Sequence, residues 1–315
     1  MSLKGCLDSL IKQTYRNFEV IVVDGGSTDS TRELVYEYSL KLPIIFSVQK
    51  GGLVLKMNEG LRISRGEIVI RTDDDVIADS NWLWEIVNTF AVSQNVGGVT
   101  GPTIIPEDRL QNRDVFTFLR KFADEGLLWE LARSIYIKIF LEGKPHYVGR
   151  VFKSGAWAPG SNFPTSANIK NLVDVDTLEA CNMALRKSLI EKVHGFDDTY
   201  RTLAEWSEVD LCFRIRKLGY KLIFNPKAVV FHMVSHAGIF IERTHAYDRM
   251  VNFIHFYLNH IKPNTLDKAL RFGLYLVFLN CYWMYKFARS GNPDYLTGVS
   301  GTIAGLLRKA DRAPE

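Results

Sequence analysis

The sequence predicts an α/β fold: a doubly wound, mostly parallel sheet flanked by helices, followed by a helical C-terminal extension. Three observations carry this. Short β-branched runs such as residues 18–23 lack polar alternation, as strands covered on both faces do. Segments with apolar residues at helical spacing separate those runs, and strands alternating with helices mean crossover connections. From residue 246 onward the pattern is helical and aromatic throughout.

Taken in order, residues 3–14 place Leu3, Cys6, Leu7, Leu10 and Ile11 on one helix face. The strand at 18–23 ends in Asp24-Gly25-Gly26-Ser27-Thr28, where the glycines permit a tight turn and Ser27 or Thr28 can cap the helix running to about residue 40. Residues 43–48 form the next strand. Gly51-Gly52 opens a helix through Met57, Leu61 and Ile63, and residues 68–70 form a strand that runs into Asp73-Asp74-Asp75. Asp79 or Ser80 caps a helix through Trp82, Ile86, Val87 and Phe90, and residues 97–100 give one more strand.

The pattern then loosens. Residues 102–110 read as loop, and 115–141 as a helix with Leu119, Leu127, Leu131, Ile135 and Ile139 available for one face. Residues 143–170, rich in Gly, Pro, Ser and Asn, read as loop around an aromatic strand at 147–152. A strand at 173–185 and a short helix at 187–193 follow. Residues 205–218 are a helix with Gly219 at its C′ position, and two short strands, 220–224 and 228–231, flank the Asn225-Pro226 turn. There is no internal repeat.

Composition narrows the class. The 315 residues bury a sizeable core, and 23% charged with 47% hydrophobic residues mark a globular chain. A net charge of +4 is too small to point to nucleic acid. Cys6, Cys181, Cys212 and Cys281 lie far apart with no CxxC pair, so neither a zinc site nor a disulfide framework is indicated, and a reducing cytosol fits. The first thirteen residues lack the apolar core of a secretory leader. The apolar run 270–285 falls short of the roughly 20 residues a spanning helix needs.

The chemistry concentrates where strands end. Three adjacent carboxylates, Asp73 to Asp75, need a compensating positive charge to be ordered, and hard oxygen ligands suit Mg²⁺ or Mn²⁺ held against phosphates. A solvated acidic turn is the bland reading. Asp24 also stands at a strand end, where a carboxylate either meets a ribose or base hydroxyl or only closes its turn. No GxGxxG follows that strand and no GxxxxGK[ST] occurs, which argues against dinucleotide and P-loop sites.

Six motifs in order resemble family 2 glycosyltransferases of the GT-A fold. They are Val20 to Thr31; Lys50-Gly51-Gly52 through Lys56-Met57-Asn58-Glu59-Gly60; and Gly66-Glu67 with the triple Asp. Then come Cys181-Asn182-Met183-Ala184-Leu185-Arg186 with Gly195-Phe196-Asp197; Ser207-Glu208-Val209-Asp210-Leu211; and Gly219-Tyr220 with Asn225-Pro226 and His232. The resemblance runs from residue 3 to about 260.

It implies a nucleotide-diphosphate sugar donor and a glycan or lipid-linked acceptor. Asp24, with Gly25 and Ser27, would hold the nucleoside, and Asp73 the ribose. Asp75 and His232 would hold Mg²⁺ or Mn²⁺, with Asp74 a spacer in the donor site. Lys50 and Lys56 would meet phosphates as point charges, with Asn58 on the same donor side. Glu208 would take the acceptor proton in an inverting displacement. Glu205 is the second candidate base, three residues earlier on the same expected helix face. For both acids the bland reading is a favourable charge at a helix N-terminus. Asp210 and Arg214 at i and i+4 read as an ion pair, His236 as a weaker ligand candidate than His232, and Trp157 and Trp206 as core or sugar-stacking residues.

The resemblance also implies boundaries: a donor half at 1–110, an acceptor and catalytic half at 111–240, and a helical extension at 241–315. Two departures stand out. The usual Glu-Asp reads Ser207-Glu208, and the family's opening strand has no counterpart before residue 3, which would leave two ladder edges exposed. Aromatics flanked by Arg243, Arg249, Lys262, Lys268, Arg271, Lys286 and Arg289 imply peripheral contact with the cytoplasmic face of a membrane, against the alternative of helices packed on the domain. A sugar nucleotidyltransferase, or a degenerate nucleotide- or glycan-binding module, are the other readings. The sequence carries no signal for sugar, base, acceptor or oligomeric state.

Overall fold

The computed structural model describes residues 2–109, 119, 126–234 and 245–308. In chain order the elements are α1 (Ser2–Ile11), β1 (Val20–Asp24), α2 (Thr31–Ser39), β2 (Ile44–Val48), α3 (Leu53–Ile63), β3 (Ile68–Arg71), β4 (Val76–Ala78), α4 (Trp82–Val92), β5 (Val96–Thr100) and β6 (Thr103–Ile104). Then follow α5 (Leu127–Ile135), β7 (Val173–Val175), β8 (Met183–Arg186), α6 (Lys187–Lys192), α7 (Ser207–Lys217), β9 (Lys221–Phe224), β10 (Val230–His232), α8 (Ala246–Phe256), α9 (Leu266–Ser290) and α10 (Thr297–Leu307).

The chain divides into two compact units. Met1–Arg109, Gly160–Thr199 and Ser207–Ser235 make the first; Leu110–Pro159, Tyr200–Trp206 and His236–Glu315 make the second. This differs from the boundaries expected at 110 and 240, because residues 110–159 group with the C-terminal helices.

In the first unit five strands form a sheet in the order β3-β8-β5-β9-β7, three form β4-β10-β6, and β1 pairs with β2 alone. The α/β class stands, but pairing is mixed. β1–β2, β5–β9 and β6–β10 are parallel, while β8 opposes β3 and β5, β7 opposes β9, and β4 opposes β10. The stretch 173–185, read as one strand, is two: β7 and β8 are separated by a 3₁₀ turn at Ala180–Asn182, take different places in the sheet, and both run against β5 and β9. Among the described residues β1 and β2 pair only with one another, and β3 and β7 are the edge strands of the five-stranded sheet.

The apolar faces of α1 and α4 bury Leu7, Leu10, Trp82, Ile86 and Phe90 with Val99 and Val230. Each such side chain, fully buried, contributes about 1.5–3 kcal/mol. Strand β5 is covered on both sides. A Cβ at Gly98 would lie 2.6 Å from Leu185 Cδ2 and 2.9 Å from Leu222 Cδ2, so only glycine lets the neighbouring strands close there.

The second unit is held by rings. Tyr257 and Phe272 stack with centroids 3.7 Å apart, and Trp206 lies on Phe256 at 5.0 Å, which makes Trp206 a packing residue. The small-residue helix α10 packs on α8, with Gly301 so close that a Cβ would stand 2.5 Å from the Tyr247 carbonyl oxygen. Helix α9 buries Phe272, Tyr275, Leu279 and Trp283 and exposes Leu266, Leu270, Leu274, Val277 and Met284. The apolar face expected on α5 is also exposed, with Leu127 at 88% and Leu131 at 55%. No helix among the described residues is long and apolar enough to cross a membrane. The start of the helix expected at 115–141, apart from Leu119, lies outside the described residues, as does His236.

Candidate functional site

The chain ends of three strands meet in the first unit. β3 finishes at Arg71 and the chain turns through Asp73 to Asp75 into β4, whose Val76 stands opposite His232 in the antiparallel β4–β10 ladder. That register puts the imidazole beside the acidic turn: His232 Nε2 is 3.1 Å from Asp75 Oδ1, and the Met233 N–H donates to the Asp75 carbonyl at 2.9 Å. β3 also pairs with β8, Arg71 opposite Met183, which brings in the residues just before β8. Thr72 Oγ1 donates to the Cys181 carbonyl at 3.0 Å. Asn182, fully buried, accepts from Trp82 Nε1 at 2.8 Å and donates to the Ala228 carbonyl at 2.9 Å, locking this loop.

The side chains so assembled form a possible cation site. Ligand atoms of Asp73, Cys181 and His232 lie within 4.8 Å of one another, and Cys181 Sγ is 3.6 Å from His232 Nδ1. Carboxylate, imidazole and thiol together are a donor set that fits a divalent metal. The structure adds Cys181 to the acids and histidine named from the sequence, because its neighbours come from strands far away in the chain. Asp73, expected on a ribose, stands in the cluster, and Asp75, expected as a metal ligand, lies 3.1 Å from His232 Nε2. Burial, with the Asp73 and Glu179 carboxylates alongside, pushes the Cys181 thiol well above its ordinary value.

Arg71, absent from the sequence reading, joins this cluster to the candidate base. Its guanidinium is 3.0 Å from Asp73 Oδ1 and 3.7 Å from Glu208 Oε1. Glu208 is 8% exposed, in the first turn of α7, and accepts from Ser207 Oγ at 3.1 Å. Burial raises its carboxyl above the ordinary value; Arg71 and the Ser207 hydroxyl hold it back. A buried carboxyl tuned upward and kept ionisable by one cation suits proton abstraction. Glu205 does not share its helix face. α7 begins at Ser207, and Glu205, in the turn before it, accepts from Arg249 Nε at 2.6 Å. The Asp210–Arg214 pair forms as expected, at 2.7 Å.

A second cluster surrounds the Asp24 turn. Asp24 accepts from the N–H of Gly26 at 3.0 Å and of Ser27 at 2.9 Å, and from Ser27 Oγ at 2.5 Å. Partial burial opposes its charge, but these bonds, with one from Gly25, hold its carboxyl below the ordinary value. Ser27 therefore closes the turn and caps no helix; α2 begins at Thr31, whose N–H donates to Asp29. Both lysines reach this turn. Lys56 Nζ stands 2.8 Å from where a Gly25 Cβ would be, and Lys50 Cε 3.6 Å from the equivalent point at Gly26. Two ammonium groups over a glycine turn beside α3 make a place for an anion. Asn58 does not face a ligand: its amide clamps the Phe196 backbone, donating and accepting at 2.9 Å. Asp74 is exposed and accepts from Ser2 Oγ at 3.1 Å.

Residues 2–147 match the family model described as Glycosyl transferase family 2. Among relatives, the chain is 26% identical over 239 residues to the uncharacterised protein y4gI of Sinorhizobium fredii, covering 74% of this chain and 23% of that protein. It is 32% identical over 84 residues to the glycosyltransferase GlyG of Streptococcus pneumoniae, 26% of this chain and 28% of GlyG. The chain thus spans about a quarter of the length of these curated relatives. Among solved structures, the mannosyltransferase PcManGT of Pyrobaculum calidifontis, in complex with GDP-Man and Mn²⁺, superposes with a TM-score of 0.55 at 18% identity. That match covers 98% of this chain and 84% of the other. S. aureus TarS 1-349 in complex with UDP-GlcNAc gives 0.53 at 14% identity, covering 96% and 87%.

Proposed function

From the match of residues 2–147 to the glycosyl transferase family 2 model and the likeness to GT-A structures, we propose that the chain is a family 2 glycosyltransferase that transfers a sugar from a nucleotide-diphosphate donor to an acceptor hydroxyl with inversion at the anomeric carbon. The observation that carries this reading is Arg71, which ties the candidate base Glu208 to the acid Asp73 of the cation cluster. Base and leaving-group site are then parts of one electrostatic unit, as a single displacement requires.

In this reading Asp24 and its turn hold the nucleoside, and Lys50 and Lys56 pair with the diphosphate. Asp75 and His232, with Asp73 beside them, are the residues that would hold Mg²⁺ or Mn²⁺, which when bound supplies Lewis-acid stabilisation of charge on the leaving diphosphate. Glu208 takes the acceptor's hydroxyl proton as that oxygen bonds to the anomeric carbon. The bond from that carbon to the diphosphate breaks, and the nucleoside diphosphate leaves with the electron pair. Arg71 offsets part of the burial that raises the Glu208 carboxyl. One structural neighbour is in complex with GDP-Man and another with UDP-GlcNAc, and these are the donor classes to try first.

The acceptor in this reading is a glycan or a lipid-linked glycan, approached at the cytoplasmic face of a membrane. The apolar stripe left open along α9, Leu266, Leu270, Leu274 and Val277, with Lys268 and Arg271 beside it, supports peripheral docking on an anionic bilayer. The decisive assay is release of nucleoside diphosphate from UDP-GlcNAc, GDP-mannose and related donors with Mn²⁺. Turnover by the wild type that Glu208→Gln removes is the expected result; no turnover of any donor, with or without glycan acceptors, overturns the reading.

A further inference from the structure

We infer that the cleft formed by residues 142–153 is a phosphate site for the headgroup of an anionic membrane lipid. The inference deepens the peripheral-docking part of the reading above and rests on it; the cleft itself rests on geometry.

The cleft, about 360 Å³, lies in the second unit and is built by one loop. Among the described residues its walls carry three cations, Lys144, Arg150 and Lys153, against the carboxylate of Glu142. Lys153 Nζ also meets Asp267 at 2.9 Å, but that carboxylate is shared with Arg271 Nε at 2.7 Å. Four cations facing two carboxylates leave a positive field that an anion balances. A phosphate suits it, because Arg offers phosphate oxygens a planar fork of donors and Lys a point charge.

The loop is preformed. Glu142 sits in the left-handed region at φ 50°, a costly place for a residue with a side chain, and strain of this kind collects at ligand sites. Its carboxylate accepts from the Lys153 N–H at 3.2 Å, tying the two ends of the loop. Ser154 Oγ donates to the Phe140 carbonyl at 2.8 Å, at the end of a π-helical turn, Tyr136–Phe140, a rare form frequent at functional sites.

The lipid is singled out by what lies beside the cleft. Tyr257 Oη stands 2.8 Å from the Lys153 carbonyl oxygen and 3.2 Å from that of Lys268, which pins the cleft to the first turn of α9. There Leu266 is 76% and Leu270 58% exposed, and Tyr147, an exposed aromatic of the cleft wall, has Lys144 Nζ 5.2 Å from its ring. Cations beside bare apolar side chains and an amphipathic ring match the boundary between headgroups and acyl chains. The plain alternative is a solvated basic loop that feels only the average charge of a surface.

Sedimentation of the full chain with phosphatidylglycerol vesicles, at constant ionic strength, separates the two. Each cation near an anionic surface contributes a factor of about five wherever it stands, so removing any two weakens binding about 25-fold. A charge-assisted bond to one phosphate contributes about tenfold or more, so Lys144→Gln with Arg150→Gln is expected to cost at least about 100-fold. Lys286→Gln with Arg289→Gln, at the other end of α9, is expected to cost no more than the general factor, and glycerol phosphate, but not glycerate, releases the wild type. Equal losses from the two pairs, or no competition by glycerol phosphate, overturn the site and leave docking in place. Glycerol phosphate bound by calorimetry, in a chain whose vesicle binding survives the cleft substitutions, assigns the cleft to a free phosphate and overturns the lipid. A wild type that no vesicle pulls down overturns site and docking together. Nucleotide release from soluble donors is unchanged in both pairs, which tells a docking failure from a failure of the transferase reading. Should the cleft pair fold poorly by circular dichroism, Lys144→Glu, at an exposed side chain, replaces it and is compared with Lys286→Glu.

Discussion

The Arg71 guanidinium stands between two acids, 3.0 Å from Asp73 and 3.7 Å from Glu208, and its Nη1 is buried with no hydrogen-bond partner among the described residues. The contact to Glu208 is therefore coulombic, and it opposes the burial that raises that carboxyl. Burial pushes Glu208 up and Arg71 pulls it down, so neutralising Arg71 lifts it further. Activity that needs the ionised carboxylate is lost on the acid side of the profile. Arg71→Met moves the acid limb of kcat/KM to higher pH, and Arg71→Lys moves it less; a pH profile of nucleotide release checks both.

The two candidate bases separate cleanly by mutation. Glu208→Gln lowers kcat by about 10²–10⁴, the usual worth of a general base, while a nucleotide-sugar still binds with unchanged Kd by calorimetry. Glu205→Gln instead loosens the second unit. Its pair with Arg249 is about four-fifths shielded, so breaking it costs about 1–3 kcal/mol, between exposed and buried pairs, read by urea unfolding. Activity per folded molecule stays.

The lysines over the Asp24 turn act by charge. Lys56→Gln raises KM for the nucleotide-sugar several-fold with little change in kcat, and the effect shrinks at high salt as screening weakens the wild-type interaction. Steady-state kinetics at two ionic strengths measures it.

Gly98→Ala tests the packing that carries the site. The added methyl meets Leu185, Leu178 and Leu222 at 2.6–2.9 Å, all on strands or turns that cannot retreat without moving β8. Overpacking of this kind costs about 1–3 kcal/mol in urea unfolding. Because β8 follows Cys181 and Asn182, cation affinity falls with stability.

Docking on lipid is read by sedimentation with vesicles. Anionic vesicles pull the chain down and neutral ones do not; Leu270→Glu with Leu274→Glu abolishes the binding without changing the circular dichroism, since both side chains are exposed.

Much of this was legible before any coordinates. The β-branched runs, the glycine turn after β1 and the apolar faces of α1 and α4 follow from local periodicity, which the chain expresses within ten residues. Glu208 was legible as well, since it opens a well-marked helix beside an acid-rich motif. Glu205 was misplaced by the same local logic, because helix spacing does not say where the first turn begins. The split of 173–185 into β7 and β8 was hidden because the 3₁₀ turn between them, Ala180–Asn182, carries no glycine or proline to mark it.

The sequence by itself determined which acids stand at strand ends, because alternating strands and helices put them there. The tertiary structure decided their neighbours. Cys181 and His232 are 51 positions apart and reach one another only through the β3–β8 and β4–β10 ladders, whose registers bring in Thr72 and Val76. Arg71 looked like the end of a strand and nothing more; burial between two carboxylates made it part of the site. Charge and metal chemistry depend on distance in space, and that distance is set by pairing between strands far apart in the chain.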